Sequence, residues 1–557
     1  MAKLNDEKAQ KKFEEMQARE AEELAQMLSV RRGIPYLDLS RLTIDLDSLK
    51  ILDEAGARAG KIVIFQSVGK KLQAGVLNPE LDKTQEMLNE LKEKHYEVKV
   101  FQISEKSLNK ALALYAEISA FKKATTGLVA LSEARIEEFK EKIKGIAGLE
   151  EEVSKVAISK ETHKASEILE IILAGALRLD ASDIHIEPGD LKTHLRYRLD
   201  GVLRDIIQLP PGIYTLLNSR VKLLSELKLN ITSRAQDGRF TIRTKVADIE
   251  VRTSILPGPY GEAIVLRILN PKSIQTGYEN LGMHPYLLKK MAKELARPNG
   301  MILTTGPTGS GKTTTLYAFL KKANEPGIKI VTIEDPIEYH IAGIVQTQVE
   351  ADKGYDFASG LRSILRQDPD IILVGEIRDL ETAETAMHAS LTGHLVFSTL
   401  HTNDAAGTIP RLIDLGVKPN IIAPAINVAM AQRLIRVLCK SCARKETPSP
   451  VEQKLIEDTL KNLPAQIEKP DFKNISVSRA VGCEACNSTG YKGRSGVFEA
   501  FFVDDLIERL IISDPSEAGI RQGALKQGMM TIRQDGILKV LQGITSFEEL
   551  NRVVGED

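Results

Sequence analysis

The stretch Gly306-Pro307-Thr308-Gly309-Ser310-Gly311-Lys312-Thr313 leaves this chain few options. It fits the pattern G-x-x-x-x-G-K-[ST], and its flanks agree with it. The apolar run Met301-Ile302-Leu303 precedes it and Thr314 to Leu320 follows, so the spacing predicts a buried strand, a glycine-rich turn and a helix start. Glycines at 306, 309 and 311 let successive N–H groups converge on an anion, helped by the positive end of the helix dipole. Pro307, Thr308, Ser310 and Thr314 complete the expected ATP-binding loop. Lys312 is expected to reach the β and γ phosphates, and the Thr313 hydroxyl to ligate Mg²⁺.

Two other apolar runs end in carboxylates. Ile328 to Ile333 leads into Glu334-Asp335-Pro336-Ile337-Glu338, and Ile371 to Val374 leads into Gly375-Glu376. Ligands collect at the C-terminal ends of strands in open α/β sheets, so Glu334 is expected to orient or deprotonate an attacking water. Glu376 would support the metal through water, since glycine stands where many nucleotidases carry aspartate. Taken alone, either acid also suits a helix N-cap or a surface position. His394 and His401 bracket Leu395 to Leu400 and read either as sensors of the γ phosphate or as packing residues. Arg362 and Arg366 share one helix face. With Arg378, and with Arg252 and Arg267 upstream, they are candidates to stabilise phosphate charge from the same or a neighbouring subunit, whereas each arginine singly suits a surface ion pair.

At 557 residues the chain exceeds a single core. Residues 1–30 read as a charged helical or flexible arm, 31–120 as a small α+β domain, and 121–160 as a charged, solvated helical linker. Alternating strands with a two-residue Asp200-Gly201 hairpin signal fill a mixed sheet domain over 161–275. Strands alternate with helices over 280–438, as expected for a mostly parallel sheet. Cys439-Lys440-Ser441-Cys442 and Cys483-Glu484-Ala485-Cys486 mark a region over 439–500, and 501–557 reads as helical. Two Cys-x-x-Cys units can supply the thiolates of a closed structural Zn²⁺ site, with a redox pair or free thiols as alternatives. The net charge of -1 provides no basic field for nucleic acid. No apolar run reaches the roughly 20 residues of a membrane span and no signal peptide is evident, so a cytoplasmic location is expected.

Three groups of motifs together resemble the secretion ATPase superfamily, specifically the type II secretion and type IV pilus assembly ATPases. They are the phosphate loop, the segments Ile333 to Tyr339 and Leu365 to Asp379, and the histidine segment Thr392 to Asn403. Upstream, Ala181 to Glu187 and Arg196 to Gly201 are similar to that family's second N-terminal domain. The resemblance implies an α/β fold with a RecA-like core, a preceding PAS-like domain and a tetracysteine zinc insertion. It further implies a homo-hexamer at the inner face of the cytoplasmic membrane, where ATP hydrolysis moves a platform protein and extrudes pilin or pseudopilin. In that family the domain before the phosphate loop packs on a neighbouring subunit, and arginines matching Arg252 and Arg267 approach the nucleotide. The motif that some members use for cyclic di-GMP is not found here. An ATP-binding scaffold without useful turnover and a DNA-transfer motor are the competing readings; Lys312, Glu334 and Glu376 together argue against the first, and the balanced charge against the second.

Overall fold

A computed structural model describes residues 21–555 apart from 40–41, 43, 45, 50, 69, 95, 126–137, 139–141, 144, 159–163, 245–247, 271–275 and 473. The expected arm therefore falls outside the described residues up to position 20, and residues 21–32 are helical. The chain divides into two compact units, Met1–Val129 and Ala130–Asp557.

In the first unit, β1 (Ile62–Val68), β2 (Lys71–Val76) and β3 (Glu97–Gln102) lie side by side in that order. The first pair is antiparallel and the second parallel. Alternation along β1 divides its side chains between two small cores. Val63 and Phe65 join Leu108, Leu112 and Tyr115, while Ile62 and Ile64 join Leu88 and Leu91. Each face is closed by a helix, Glu105–Thr125 on one and Asp82–Glu93 on the other.

The second unit opens with helices Gly145–Ile158 and Lys164–Arg178. The Lys/Glu-rich part of the expected linker, 126–137, 139–141 and 144, lies outside the described residues, and the helix Gly145–Ile158 is solvated on one face only. Its Leu149 and Val153, four residues apart, are fully buried, and a Cβ at Gly175 would lie 2.6 Å from the Leu149 side chain. A glycine there admits close contact between the helices. A six-stranded sheet follows, built from β4 (Ala181–Pro188), β5 (Thr193–Leu199), β6 (Val202–Leu209), β7 (Gln236–Arg243), β8 (Asp248–Gly258) and β9 (Gly261–Leu269) in the order β6-β5-β4-β9-β8-β7. Every pairing is antiparallel, because tight turns join most consecutive strands. Asp200 and Gly201, both with positive φ, form the β5–β6 turn.

The larger sheet is assembled from β10 (Gly300–Thr305), β11 (Ile330–Glu334), β12 (Val345–Gln348), β13 (Ile371–Val374), β14 (Leu395–Leu400) and β15 (Ile426–Leu438). A separate ribbon of β16 (Arg444–Glu446) and β17 (Val477–Arg479) precedes its last strand, β18 (Tyr491–Phe502). The order is β12-β11-β13-β14-β10-β15-β18, parallel throughout except for β18 against β15. The continuous apolar runs are explained by burial on both faces. Leu316, Phe319 and Phe397 pack on one side, and Ile333, Met387 and Phe501 on the other. Four helices, Asp505–Ser513, Glu517–Gln527, Ile532–Leu541 and Phe547–Val554, close the chain. Among the described residues no helix is long and apolar enough to cross a membrane.

Candidate nucleotide site and tetracysteine centre

The phosphate loop lies between β10 and the helix Lys312–Ala323, at the C-terminal edge of the parallel strands. Its backbone is one that glycine permits. Gly306 has φ +145° and Gly311 φ +89°, and a Cβ would lie 2.5 Å from the Gln432 carbonyl at the first and 2.8 Å from the Gln432 amide at the second. Lys312 Nζ donates to the carbonyls of Gly306 (2.8 Å) and Pro307 (3.2 Å). Burial lowers its pKa below the ordinary lysine value; Glu376 opposes this and Arg433 adds to it. The Ser310 hydroxyl is buried without a partner, whereas Thr313 is exposed at the helix start. A loop of left-handed glycines with an unsatisfied hydroxyl and a lysine folded onto its own carbonyls suits an incoming phosphate chain.

Two strands away, β13 delivers Glu376. Its side chain is 13% exposed, pairs with Arg378, and lies 3.3 Å from His401 Nε2 at the end of β14. Lys312, Glu376, Arg378 and His401 therefore gather on one edge of the sheet.

Glu334 does not present a free carboxylate. It is 4% exposed; Tyr317 donates to Oε2, while Thr332 (2.5 Å) and Gln346 (3.2 Å) donate to Oε1. Burial, and then Glu334 itself, hold the Tyr317 phenol well above its usual range. To orient or deprotonate water, as the sequence leads one to expect, Glu334 has to release one of these donors. The same segment also presents Glu338, which sequence reasoning passed over although it stands in Asp335-Pro336-Ile337-Glu338. Glu338 lines a cleft of about 690 Å³ with Arg239, Arg252, Arg267 and Tyr339. Arg252 spans that cleft, donating to the Ile337 carbonyl (2.7 Å) and lying 3.5 Å from Glu338, and Arg267 pairs with Asp183 at 3.1 Å.

Three other expected residues lie elsewhere. His394 precedes β14, whose first residue is level with Gly300 and whose last is level with Thr305. A strand of that length, about 20 Å, separates it from the loop, so the sensing expectation for His394 is corrected. Its ring bonds the Ala389 carbonyl at 3.0 Å. Arg362 pairs with Glu381. Arg366 caps the C-terminus of the helix Phe357–Leu365 and bonds the Arg362 carbonyl and Ser363.

The four cysteine sulfurs all lie within 4.8 Å of one another. Three of the separations are 3.9, 3.8 and 3.7 Å. Sulfurs at about 2.3 Å from a tetrahedral zinc stand about 3.8 Å apart, so the donor set and spacing fit that ion. The N–H groups of Cys483 and Gly490 both point at Cys486 Sγ, each at 3.2 Å. Burial alone would raise that thiol, but these donors bring it down to about 7, while burial and the neighbouring thiols push Cys442 up to about 11.

The family described as Type II/IV secretion system protein matches residues 159–552. The chain is 42% identical over 386 residues to the type II secretion system protein HxcR of Pseudomonas aeruginosa, covering 69% of this chain and 76% of that protein. It is 36% identical over 533 residues to the type IV pilus assembly ATPase PilB of Myxococcus xanthus, covering 95% and 91%. In fold it is similar to the Legionella pneumophila ATPase DotB, with a TM-score of 0.50 and 21% identity over 71% of this chain and 97% of that one. A phosphate loop at the edge of a parallel sheet, a tetracysteine cluster and these likenesses lead to one conclusion: the chain belongs to the type II/IV secretion system protein family, among the secretion ATPases of type II secretion and type IV pilus assembly.

Proposed function

We propose that this secretion ATPase is a cytoplasmic, hexameric motor that hydrolyses ATP to drive assembly of pilin or pseudopilin filaments through an inner-membrane platform protein. The observation that carries the reading is the meeting of Lys312, Glu376, Arg378 and His401 beside a phosphate loop whose Ser310 hydroxyl has no partner. In this reading Lys312 leaves the Gly306 and Pro307 carbonyls for the triphosphate, and the loop N–H groups hold the phosphate oxygens. The Thr313 hydroxyl would hold Mg²⁺ and Glu376 would support it through water, and the ion would supply neutralisation of phosphate charge. His401, hydrogen-bonded to Glu376, registers whether the terminal phosphate is present. Glu338 faces the arginine-lined cleft and is the acid best placed to meet water, with Glu334 holding Tyr317 and β11 in place.

Arg252 and Arg267 bring positive charge from the antiparallel, PAS-like domain to that cleft and complete the site when subunits assemble. The tetracysteine centre ties the excursion between the two knuckles at its base, which suits a structural zinc. Mg²⁺-dependent ATP hydrolysis by the full chain tests the reading. Lys312→Ala and Glu376→Gln are each expected to lower kcat at least 100-fold. Wild-type turnover no faster than that of Lys312→Ala would leave an ATP-binding scaffold as the better account.

A further inference from the structure

Arg433 is a charged residue beside the phosphate loop for which the reading above finds no use. It lies on β15 two residues beyond the last pair with β10, Thr305 with Ala431, and a Cβ on Gly306 would stand 3.2 Å from its Nη1. Its guanidinium is held by main-chain carbonyls: Nη2 donates to Asn403 at 2.6 Å and Nη1 to Gln432 at 3.2 Å. Among the described residues no carboxylate lies within ion-pair distance of it; Glu499 and Asp404 act on it only at longer range. A half-buried cation placed on carbonyls keeps its full charge, and five donors in a rigid fork make it a bridge between two chain segments.

The segment it holds is the one that follows His401. Thr402 is anchored to the end of β10, its N–H donating to Thr305 Oγ1 at 2.7 Å. The Ala405 N–H donates to the buried Glu499 at 2.9 Å, and Asp404 pairs with Arg521 at 2.5 Å. Asn403 lies between these fixed points and is exposed, and the bond to its carbonyl comes from Arg433. We propose that Arg433 is a positioning residue of the nucleotide site: bridging the Asn403 and Gln432 carbonyls, it clamps the loop behind His401 against Gly306 and so sets His401 where it distinguishes a triphosphate from a diphosphate. This rests on the ATPase reading given above. Neighbouring Gln432 has a different part, because its side chain faces the opposite side of β15 and accepts from Thr315 at 2.8 Å.

The test compares the full-length wild type with Arg433→Gln, Arg433→Lys, His401→Ala and the double variant Arg433→Gln/His401→Ala. Affinities for ADP and for a non-hydrolysable ATP analogue are measured with Mg²⁺ by fluorescent-nucleotide displacement, alongside kcat and KM for ATP. Arg433→Gln is expected to shrink the analogue-over-ADP preference at least fivefold and to lower kcat at least tenfold, with KM changing less than threefold. The double variant should be no worse than His401→Ala, and Arg433→Lys, able to reach one carbonyl, should fall between. An unchanged preference in Arg433→Gln, or losses that multiply with His401→Ala, would overturn the proposal. Wild type that binds both nucleotides without turnover sinks the motor reading while the preference ratio still decides the role of Arg433; wild type that binds neither sinks both.

Discussion

Both carboxylate oxygens of Glu334 are engaged before any substrate arrives, by Tyr317 on one side and by Thr332 and Gln346 on the other. Replacing it by glutamine sets an amide against at least one of these donors, at a cost of about 1–3 kcal/mol. Glu334→Gln should therefore lower the melting midpoint, whereas Glu338→Gln, in an open cleft, should leave the midpoint unchanged and reduce turnover. Calorimetry and a steady-state assay on the two variants separate these effects. A second buried acid, Glu549, receives the Arg436 N–H at 3.0 Å, the Arg436 guanidinium at 2.9 and 2.7 Å, and Arg552 at 2.9 and 2.7 Å. Burial alone would raise its pKa, but the bonds from Arg552 and Arg436 bring it below the ordinary glutamate value. A depressed folded-state value means the carboxylate stabilises the fold at pH above the unfolded value, about 4.3, and that this contribution is lost as pH falls through the folded one. Glu549→Gln should cost about 3 kcal/mol near pH 7, since it strands Arg436, and the gap from wild type should close in acid. Melts between neutral and acid pH check the sign.

Among the elements, the strand, turn and helix around Gly306 to Thr313 were legible because motif, apolar run and helix start coincide. The tetracysteine cluster was legible from two short knuckles. Strand order was not, and the placing of Glu334 turns on it. Lateral position on the sheet depends on pairing: β11 lies three strands from β10, about 14 Å, and its last residue turns inward to Tyr317. His394 was misplaced for a simpler reason, since in a parallel sheet the residue before a strand and the loop after its neighbour stand at opposite ends. The part played by β15 left no mark in the sequence, because Gln432 and Arg433 act by fitting against glycines of a loop more than a hundred residues earlier. Two predictions belong to this scale. Gly306→Ala should abolish nucleotide binding, since its Cβ meets the Gln432 carbonyl at 2.5 Å and its backbone favours glycine; equilibrium titration reads this. The chain should bind one zinc, and Cys442→Ser or a strong chelator should release it and open the region between the knuckles to protease, as elemental analysis and limited proteolysis would record.

At the scale of the whole molecule, the cleft between the antiparallel domain and the Asp335 to Glu338 segment holds Arg239, Arg252 and Arg267 within a chain of net charge -1. Asp237, Glu250 and Glu338 line the same cleft, and Arg252 and Arg267 are paired with Glu250, Glu338 and Asp183, so these arginines serve a developing phosphate charge by exchanging carboxylate partners for it. If these arginines finish an active site only when subunits meet, turnover per chain depends on assembly. The most direct test follows specific ATPase activity of the full chain over a wide range of protein concentration, with sedimentation velocity on the same samples. The account predicts that activity per chain rises in step with the hexamer fraction and that Arg267→Ala flattens the rise without preventing assembly. Activity that is constant per chain from monomer to hexamer would contradict it.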